Sequence, residues 1–573
     1  MIAALRFACF VRSAGDAAVA EVYHDRIRDV LVTALGRDGA QAIHGRIAQA
    51  LTDRRIDDPE ILFEHYLCAH EWTLAGVQAA AAAARSAAAF AFERAAAFYR
   101  YALKLGSHDA SERSQLSALL ATALSNAGRT AESADAYLAA ANDAASASAA
   151  LELRRHAAEQ FLVGGHVDRG LDTIASVLSA VGLRLAGGPK RALLSLLVRR
   201  AELLVRGLSF EQRSEREIGE ETLTRIDTCW AVATGLAVID NIRAADFQTR
   251  HLLMALKAGE PYRIARSLSI EAVTAAATGG VRNQRRADRL IRSSETIGKT
   301  LDNPHTDGLL ILARGAAAYF RGQWKLAFQL GEHGEQTLRR HGVGTTWELS
   351  SAQNFVVGSL MYLGELHEVR RRLPVLLEDA MDRANLYAEV HLRTRQNLMY
   401  LVADDPDGAR ADIDDAMGRW SHRGYHVQHY LALLARTQIE LYAGRAEAAW
   451  NLVESGWPDL QRSLLLRVQV VRIEASYLRA RCALAAQKPG ADRLAASLAR
   501  EGVAWAEPLA EVIRAGCEQA DRRSHLMAAA AGFDKADMGL HAAAVRSVAS
   551  PETGSEIKEV VNPGRFARML VGG

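Results

Sequence analysis

The residues best suited to chemistry stand together near the start of the sequence, as Tyr23-His24-Asp25-Arg26. A histidine, a carboxylate and an arginine in one segment could carry out acid–base catalysis. A protein-kinase catalytic loop would need the order His-Arg-Asp, with an asparagine five residues after the aspartate. Here the order differs, and Val30 stands where the asparagine would be. We therefore predict that this segment is not catalytic.

Other motifs for catalysis and nucleotide binding are also missing from the sequence. It contains no G-x-x-x-x-G-K-[ST] phosphate loop, no G-x-G-x-x-G after a strand, no kinase signature set and no G-x-S-x-G. His70-Glu71 and His367-Glu368 each lack the second histidine of a zinc protease. We predict a chain without enzymatic activity, without a cofactor and without a bound metal.

Three groups of potential metal ligands occur in the sequence, and each has a simpler explanation. The five cysteines lie far apart and form no C-x-x-C pair, which favours a reducing cytoplasm. Residues 403–414 have part of a calcium-loop pattern at Asp405, but the first ligand position is Ala403, so an acidic helix start is favoured. The histidines at 422, 426 and 429 would need a further ligand from another helix.

One helix carries a basic stripe that could bind phosphate or an acidic partner. Its members recur at helical spacing: Arg282, Arg285, Arg286, Arg289 and Arg292. The alternative is a solvated, ion-paired helix face. The chain has 69 basic and 67 acidic residues, a net charge of +2, which indicates neither a nucleic-acid binder nor a membrane-surface protein.

The elements that must position these residues are helices in recurring pairs. A glycine or aspartate ends one helix and the next begins at once, as at Gly128, Gly165, Gly259, Gly322, Gly364, Asp405 and Gly444. The last four markers recur at intervals of about 40 residues, and such units bury their apolar faces only by stacking. The helix pairs around these markers resemble tetratricopeptide repeats over roughly residues 60–500. We predict an all-α, tetratricopeptide-like α-solenoid of stacked helix hairpins.

The two ends of the chain differ from this pattern. Residues 1–50 contain two segments that can pair as short strands, LRFACFVRS from Leu5 onward and AVAEVYH, with Gly15-Asp16 as the turn. Two helices follow, which favours the remnant of a small winged-helix-like module. Residues 51–180 are assigned to a first helical array and 181–549 to a continuing solenoid. Proline and glycine in residues 550–573 predict a poorly packed tail.

The order of these features resembles a known class of bacterial signalling proteins. The phrases EVYHDRIRDVL, IHGRIAQAL and the closing NPGRFARML resemble the region after the ATPase core in signal-transduction ATPases with numerous domains (the STAND class), in the group linked to serine/threonine kinases. The resemblance implies that kinase and ATPase domains would lie upstream of this sequence. It also implies that His24 is a nucleotide sensor, conditional on an ATPase that the sequence does not contain.

The function expected from these features is regulatory. We predict a non-catalytic sensor or scaffold module in the cytoplasm, binding a protein or a small ligand on its concave face, with kinase or ATPase domains as further partners. The alternative is a transcriptional regulator that binds DNA through residues 1–50 or through the stripe from Arg282 to Arg292. Nucleic-acid binding is disfavoured because no basic recognition helix is evident.

Overall fold

A computed structural model describes residues 2–13, 20–56, 58–237, 239–341, 343–550, 557 and 559–572. The chain divides into two compact units. The N-terminal unit comprises Met1–Leu124 with Ala139–Ser146, and the C-terminal unit comprises Ser125–Leu138 with Ala147–Gly573. The division passes through one helix pair, α6 (Ala110–Asn126) and α7 (Thr130–Asn142). The domain limits expected at residues 50 and 180 remain predictions.

The N-terminal unit begins with a short helix and a two-stranded hairpin. Helix α1 (Ile2–Phe7) precedes β1 (Val11–Ser13), which pairs antiparallel with β2 (Ala20–Val22). The sequence predicted a strand from residue 5 onward, but Leu5 lies in α1 and its carbonyl oxygen accepts a hydrogen bond from the Phe10 amide. The expected turn at Gly15-Asp16 lies outside the described residues.

The rest of the N-terminal unit is helical. Helix α2 (Asp25–Asp53) is interrupted at Gly36, whose φ of 63° and ψ of 178° lie outside the helical region, so it consists of the two helical segments that were predicted. The helices that follow it are α3 (Pro59–Cys68), α4 (Trp72–Ala88) and α5 (Phe92–Leu105). Alanines fill the contact between α4 and α5, where Ala79, Ala83 and Ala95 have no exposed surface, and their short side chains let the helices approach closely.

The C-terminal unit continues as helix pairs in sequence order. Its first helices are α8 (Ala147–Val163), α9 (Val167–Ala180), α10 (Pro189–Arg206), α11 (Glu220–Leu236), α12 (Asn241–Ala258), α13 (Pro261–Thr278), α14 (Val281–Gly298), α15 (Pro304–Phe320), α16 (Trp324–His341) and α17 (Thr346–Leu363). They are followed by α18 (Leu366–Asp382), α19 (Leu386–Val402), α20 (Pro406–Gly418), α21 (Val427–Tyr442), α22 (Ala446–Arg462), α23 (Gln469–Ala485), α24 (Ala491–Ala499), α25 (Ala506–Cys517), α26 (Arg522–Lys535), α27 (Gly539–Ala549) and α28 (Pro563–Val571). The prediction of an all-α fold built from stacked helix hairpins is confirmed.

The marker glycines end helices as the sequence predicted. Gly259 and Gly364 are left-handed C-caps with φ of 86° and 83°, a conformation that costs glycine least. At the aspartate marker the left-handed residue is Asp404, with φ of 60°, one position before the one expected. Asp405 instead caps the start of α20, where its side chain accepts a hydrogen bond from the Gly408 amide.

From α13 to α23 in the C-terminal unit, each odd-numbered helix also packs against the next odd-numbered helix. Helices α13, α15, α17, α19, α21 and α23 form this inner row, and α13 additionally contacts α23. At that contact Gly279 faces Gln469, and a Cβ at Gly279 would lie 2.8 Å from that of Gln469. The inner row therefore curves back on itself and encloses space.

The predicted poorly packed tail is wrong for the described part of residues 550–573. Pro563 begins α28, Asn562 caps it, and Phe566, Met569 and Leu570 form an apolar face that is buried in the core. The Tyr477 hydroxyl donates a hydrogen bond to the Leu570 carbonyl oxygen at 2.6 Å. Proline and glycine mark the ends of a packed helix here; residues 551–556 and 558 lie outside the described part.

Candidate ligand-binding cavity

The inner row of helices in the C-terminal unit encloses a cavity of about 340 Å³. Its wall is built mainly from α13, α15, α17, α19, α21 and α23, with α10 and α12 on one side and Ala233 of α11 also lining it. Most of the side chains that line it are apolar. A concave apolar cavity of this size with a few polar groups is typical of a binding site for a small molecule.

Helix α13 shows how the sequence produces the open space. The side chains that it turns toward the cavity recur at helical spacing and are mostly short: Ile270, Val273, Thr274, Ala277 and Thr278. The facing part of α15 contributes Ala313 and Ala316. Because short side chains project little from these helix faces, the space between the helices is left unfilled.

Polar groups cluster at one part of the cavity wall, around Glu474 of α23. The hydroxyl of Tyr362 donates a hydrogen bond to one carboxylate oxygen, and that of Tyr430 donates to the other at 3.1 Å. Burial, reinforced by the charge of Glu474, raises the pKa of both tyrosines well above the usual range. Both phenols therefore remain protonated donors, and both oxygens of Glu474 are occupied by neutral groups.

Arg395 of α19 lies in the same part of the wall and is half-buried. Its Nε donates a hydrogen bond to Nε2 of His391 at 3.3 Å, and its Nη2 lies 3.5 Å from the hydroxyl of Tyr319. Burial lowers the pKa of the guanidinium, but the nearby Tyr319 and Glu474 outweigh this effect and hold the pKa above its ordinary value. Arg395 thus keeps its charge.

Several side chains of the wall have a buried hydrogen-bonding atom without a partner among the described residues, and His391 and Gln248 are two of them. Because Nε2 of His391 accepts from Arg395, the ring proton is on Nδ1, which has no partner among the described residues. Burial, with the charge of Arg395, lowers the pKa of His391 to about 3, so the ring is neutral. Gln248, 1% exposed, donates to the Ser267 carbonyl oxygen, while its Oε1 lacks a partner within the described chain. Arg200 Nε, Asn241 Oδ1 and Trp347 Nε1 of the wall likewise have no partner among the described residues.

The five arginines of the predicted basic stripe have two kinds of environment in the structure. Arg286 is half-buried on α14 and its Nη2 lies 2.8 Å from a carboxylate oxygen of Glu271, which has no exposed surface. The other four side chains are exposed: Arg282, Arg285, Arg289 and Arg292. None of the five lines the 340 Å³ cavity. The stripe is thus a surface of four arginines beside one buried ion pair.

His24 lies in the N-terminal unit as the N-cap of α2. Its Nδ1 accepts a hydrogen bond from the Arg26 amide at 3.1 Å, and the side chain is exposed. This local contact explains why a polar residue stands where a helix starts. The role of His24 as a nucleotide sensor remains a prediction.

His426 and His429 of the histidine group, and several tryptophans, take part in side-chain contacts within the helix array. The Trp420 indole donates to Nδ1 of buried His426 at 3.0 Å, and the His426 amide donates to Nδ1 of His429 at 3.0 Å. Trp324 has no exposed surface and lies against Trp505, with ring centroids 5.6 Å apart. The described residues contain no group of three or more histidine, cysteine, aspartate or glutamate side chains arranged to hold a metal ion.

Sequence reasoning missed the polar residues of the cavity wall. His391 and Arg395 stand four residues apart on an otherwise mostly apolar face of α19, and Glu474 is the only acidic residue in α23. Charged residues within a buried helix face are a signal of function or of specific pairing. That signal could have been read only after the inner helices were identified.

Comparisons with other proteins do not identify a family for this chain. A comparison of the chain with the models of known protein families finds no match, and neither does a comparison with curated proteins. In the ranges that the structure describes, no helix combines the length and the apolar character needed to cross a membrane.

Proposed function

We propose that this chain is a non-catalytic helical-repeat regulatory module that binds a small, largely apolar ligand in the 340 Å³ cavity of its C-terminal unit. The observation that carries the proposal is the cavity itself, built by one face of consecutive inner helices and supplied with a few buried polar groups. A ligand that contacts several of these helices at once would favour one arrangement of them over another. Binding would thereby be coupled to the conformation of the repeat array.

The resemblance to STAND-class proteins suggests what such a module regulates. In this proposal the chain acts in the cytoplasm together with a serine/threonine kinase or an ATPase, and ligand binding controls that partner. A second observation supports a protein partner: several large apolar side chains near the start of the chain are exposed, including Phe7, Tyr23, Val30, Leu31 and Val32. Exposed apolar side chains in such number are typical of surfaces that other proteins cover.

A neutral apolar fluorophore, N-phenyl-1-naphthylamine, tests the cavity directly. We expect saturable binding to the wild-type chain, seen as an increase in fluorescence. The variant Ala277→Trp fills part of the cavity and should abolish the increase, whereas Ala175→Trp on the exposed face of α9 should not. Absence of saturable binding to the wild-type protein would refute the proposed function. Calorimetry with ATP should show no binding at micromolar concentrations.

A second candidate function, binding of duplex DNA, is favoured by the four exposed arginines of α14. It predicts salt-dependent retardation of a duplex in a gel-shift assay. The double variant Arg285→Glu/Arg289→Glu should eliminate the retardation. If the wild-type chain leaves duplex mobility unchanged at low salt, this candidate is excluded.

A further inference from the structure

A smaller cavity of about 130 Å³ lies in the C-terminal unit between α19, α21, α23 and the C-terminal helices. It shares Arg395, Leu431 and Glu474 with the wall of the larger cavity. Its other polar side chains include Arg481 of α23 and His541 of α27. Two arginines and one glutamate therefore line the same cavity.

Arg481 is a buried cation that has no carboxylate partner in the part of the chain that the structure describes. Its side chain is 2% exposed, and its Nη1 donates to the Met569 carbonyl oxygen at 2.5 Å. Its guanidinium carbon lies 4.6 Å from the centre of the Tyr477 ring. Its Nε has no hydrogen-bond partner, and no carboxylate oxygen lies within 4.0 Å of it, among the residues that the structure describes. Burial lowers the pKa of Arg481, since the charged form is poorly solvated there.

Glu474 does not neutralise Arg481. The two residues are seven positions apart on α23, which places them about 10 Å apart along the helix axis. Both oxygens of Glu474 already accept hydrogen bonds, from Tyr362 and from Tyr430. Glu474 therefore balances at most one of the two arginines that line the smaller cavity.

The remaining polar neighbours are neutral. Arg395 contacts the hydroxyl of Tyr319 and Nε2 of neutral His391, and neither of these groups carries a negative charge. Burial lowers the pKa of His541 to about 3, so this ring adds no charge at neutral pH. The smaller cavity is thus lined by one more positive than negative charge. A buried charge without a counter-ion is costly, so a bound anion would be strongly favoured.

We propose that the smaller cavity, which Arg395 and Arg481 both line, binds a carboxylate group. A guanidinium presents a planar fork of donors that matches a carboxylate. The leucine and methionine side chains around it, among them Leu398, Leu434, Leu509 and Met538, favour an anion with an apolar body over a strongly hydrated inorganic ion. The carboxylate belongs either to a small free acid or to the apolar ligand of the larger cavity; the second case rests on the proposed function.

Probes with matched hydrocarbon chains test the carboxylate site by calorimetry. Wild-type protein should bind decanoate at least tenfold more tightly than decanamide, and the preference should be lost in Arg481→Gln and in Arg395→Gln. Arg289→Gln, an exposed arginine outside both cavities, should keep it. Binding of acetate as tight as that of decanoate would identify a small free acid as the ligand, and binding of decanoate alone would identify the head group of a longer one.

Two results would overturn the carboxylate site. One is equal affinity of the wild-type protein for decanoate and decanamide, which would leave the proposed apolar binding intact. The other is sulfate binding more tightly than either carboxylate probe. If a glutamine variant fails to fold, the thermal midpoint of the wild-type protein still tests the carboxylate site. Decanoate should raise this midpoint more than decanamide does at the same concentration, and an equal rise would contradict the site.

Discussion

The indole of Trp324 stacks on the phenol ring of Tyr362, with ring centroids 3.9 Å apart and planes inclined by 13°. Trp324 begins α16 and Tyr362 lies near the end of α17, so the stack joins two consecutive helices of the array. It also fixes the direction of the Tyr362 hydroxyl toward Glu474. The geometry of the polar cluster therefore depends on an aromatic contact outside the cavity.

Removal of the Tyr362 hydroxyl should weaken the polar cluster without disturbing the stack. We expect Tyr362→Phe to lower the free energy of unfolding by about 1–3 kcal/mol, because one oxygen of half-buried Glu474 loses its donor. Chemical denaturation followed by circular dichroism measures the change. The exposed Tyr101→Phe is the control and should change little. Equal stability of the two variants would contradict the assigned hydrogen bond.

Two glycine caps provide a matched test of close helix packing. Gly364 and Gly444 have similar φ values, 83° and 74°, but a Cβ at Gly364 would lie 2.7 Å from the Leu540 amide nitrogen, whereas none of the described atoms lies within 4 Å of that position at Gly444. Gly444→Ala should cost about 1 kcal/mol for the backbone conformation alone. Gly364→Ala should lower the thermal midpoint clearly more, and an equal loss would refute the contact with α27.

Substitution of single arginines on α14 should separate the buried ion pair from the exposed surface. Arg286→Ala leaves the carboxylate of fully buried Glu271 without its nearest partner, and we expect a loss of about 3–5 kcal/mol. Arg285→Ala, next to it and exposed, should change stability by less than about 0.5 kcal/mol. The measurement is the denaturation midpoint of each variant. Similar small losses would show that Glu271 is satisfied by other groups.

Acidification should destabilise the cavity wall through His391. Its pKa is about 3 in the folded protein and near 6.5 in an unfolded chain, so between these values the unfolded chain alone binds a proton. Stability conferred by the neutral ring is complete above pH 6.5 and decreases as the pH falls, by up to about 1.4 kcal/mol per pH unit.

The variant His391→Gln tests this pH dependence because glutamine can still accept a hydrogen bond from Arg395 but does not titrate. Its thermal midpoint should fall less steeply than that of the wild-type protein between pH 6.5 and 4.5. The exposed His422→Gln serves as the control and should follow the wild-type curve. Parallel curves for all three proteins would contradict a neutral, buried His391.

Features that depend only on residues close together in the sequence were predicted correctly. Gly259 and Gly364 end helices because a left-handed C-cap is a local requirement. The apolar face of α28 was present in the sequence too, at Phe566, Met569 and Leu570. It was overlooked because proline and glycine were interpreted as signs of poor packing.

The cavity could not be predicted in the same way. His391 and Glu474 belong to helices far apart in sequence, and their proximity depends on how several intervening hairpins stack. A change of a few degrees at each helix pair would move them apart. The charge imbalance around Arg481 also becomes visible only when burial and the positions of all nearby carboxylates are known.

The contact between α13 and α23 limits how this array can change in length. In an open repeat protein each repeat touches only its neighbours, so a hairpin can be duplicated or lost at modest cost. Here Gly279 and Gln469 meet across the intervening hairpins. Deleting one hairpin between them would remove the meeting point, and inserting one would force the two ends past each other. The number of hairpins from α13 to α23 is therefore set by closure of the ring.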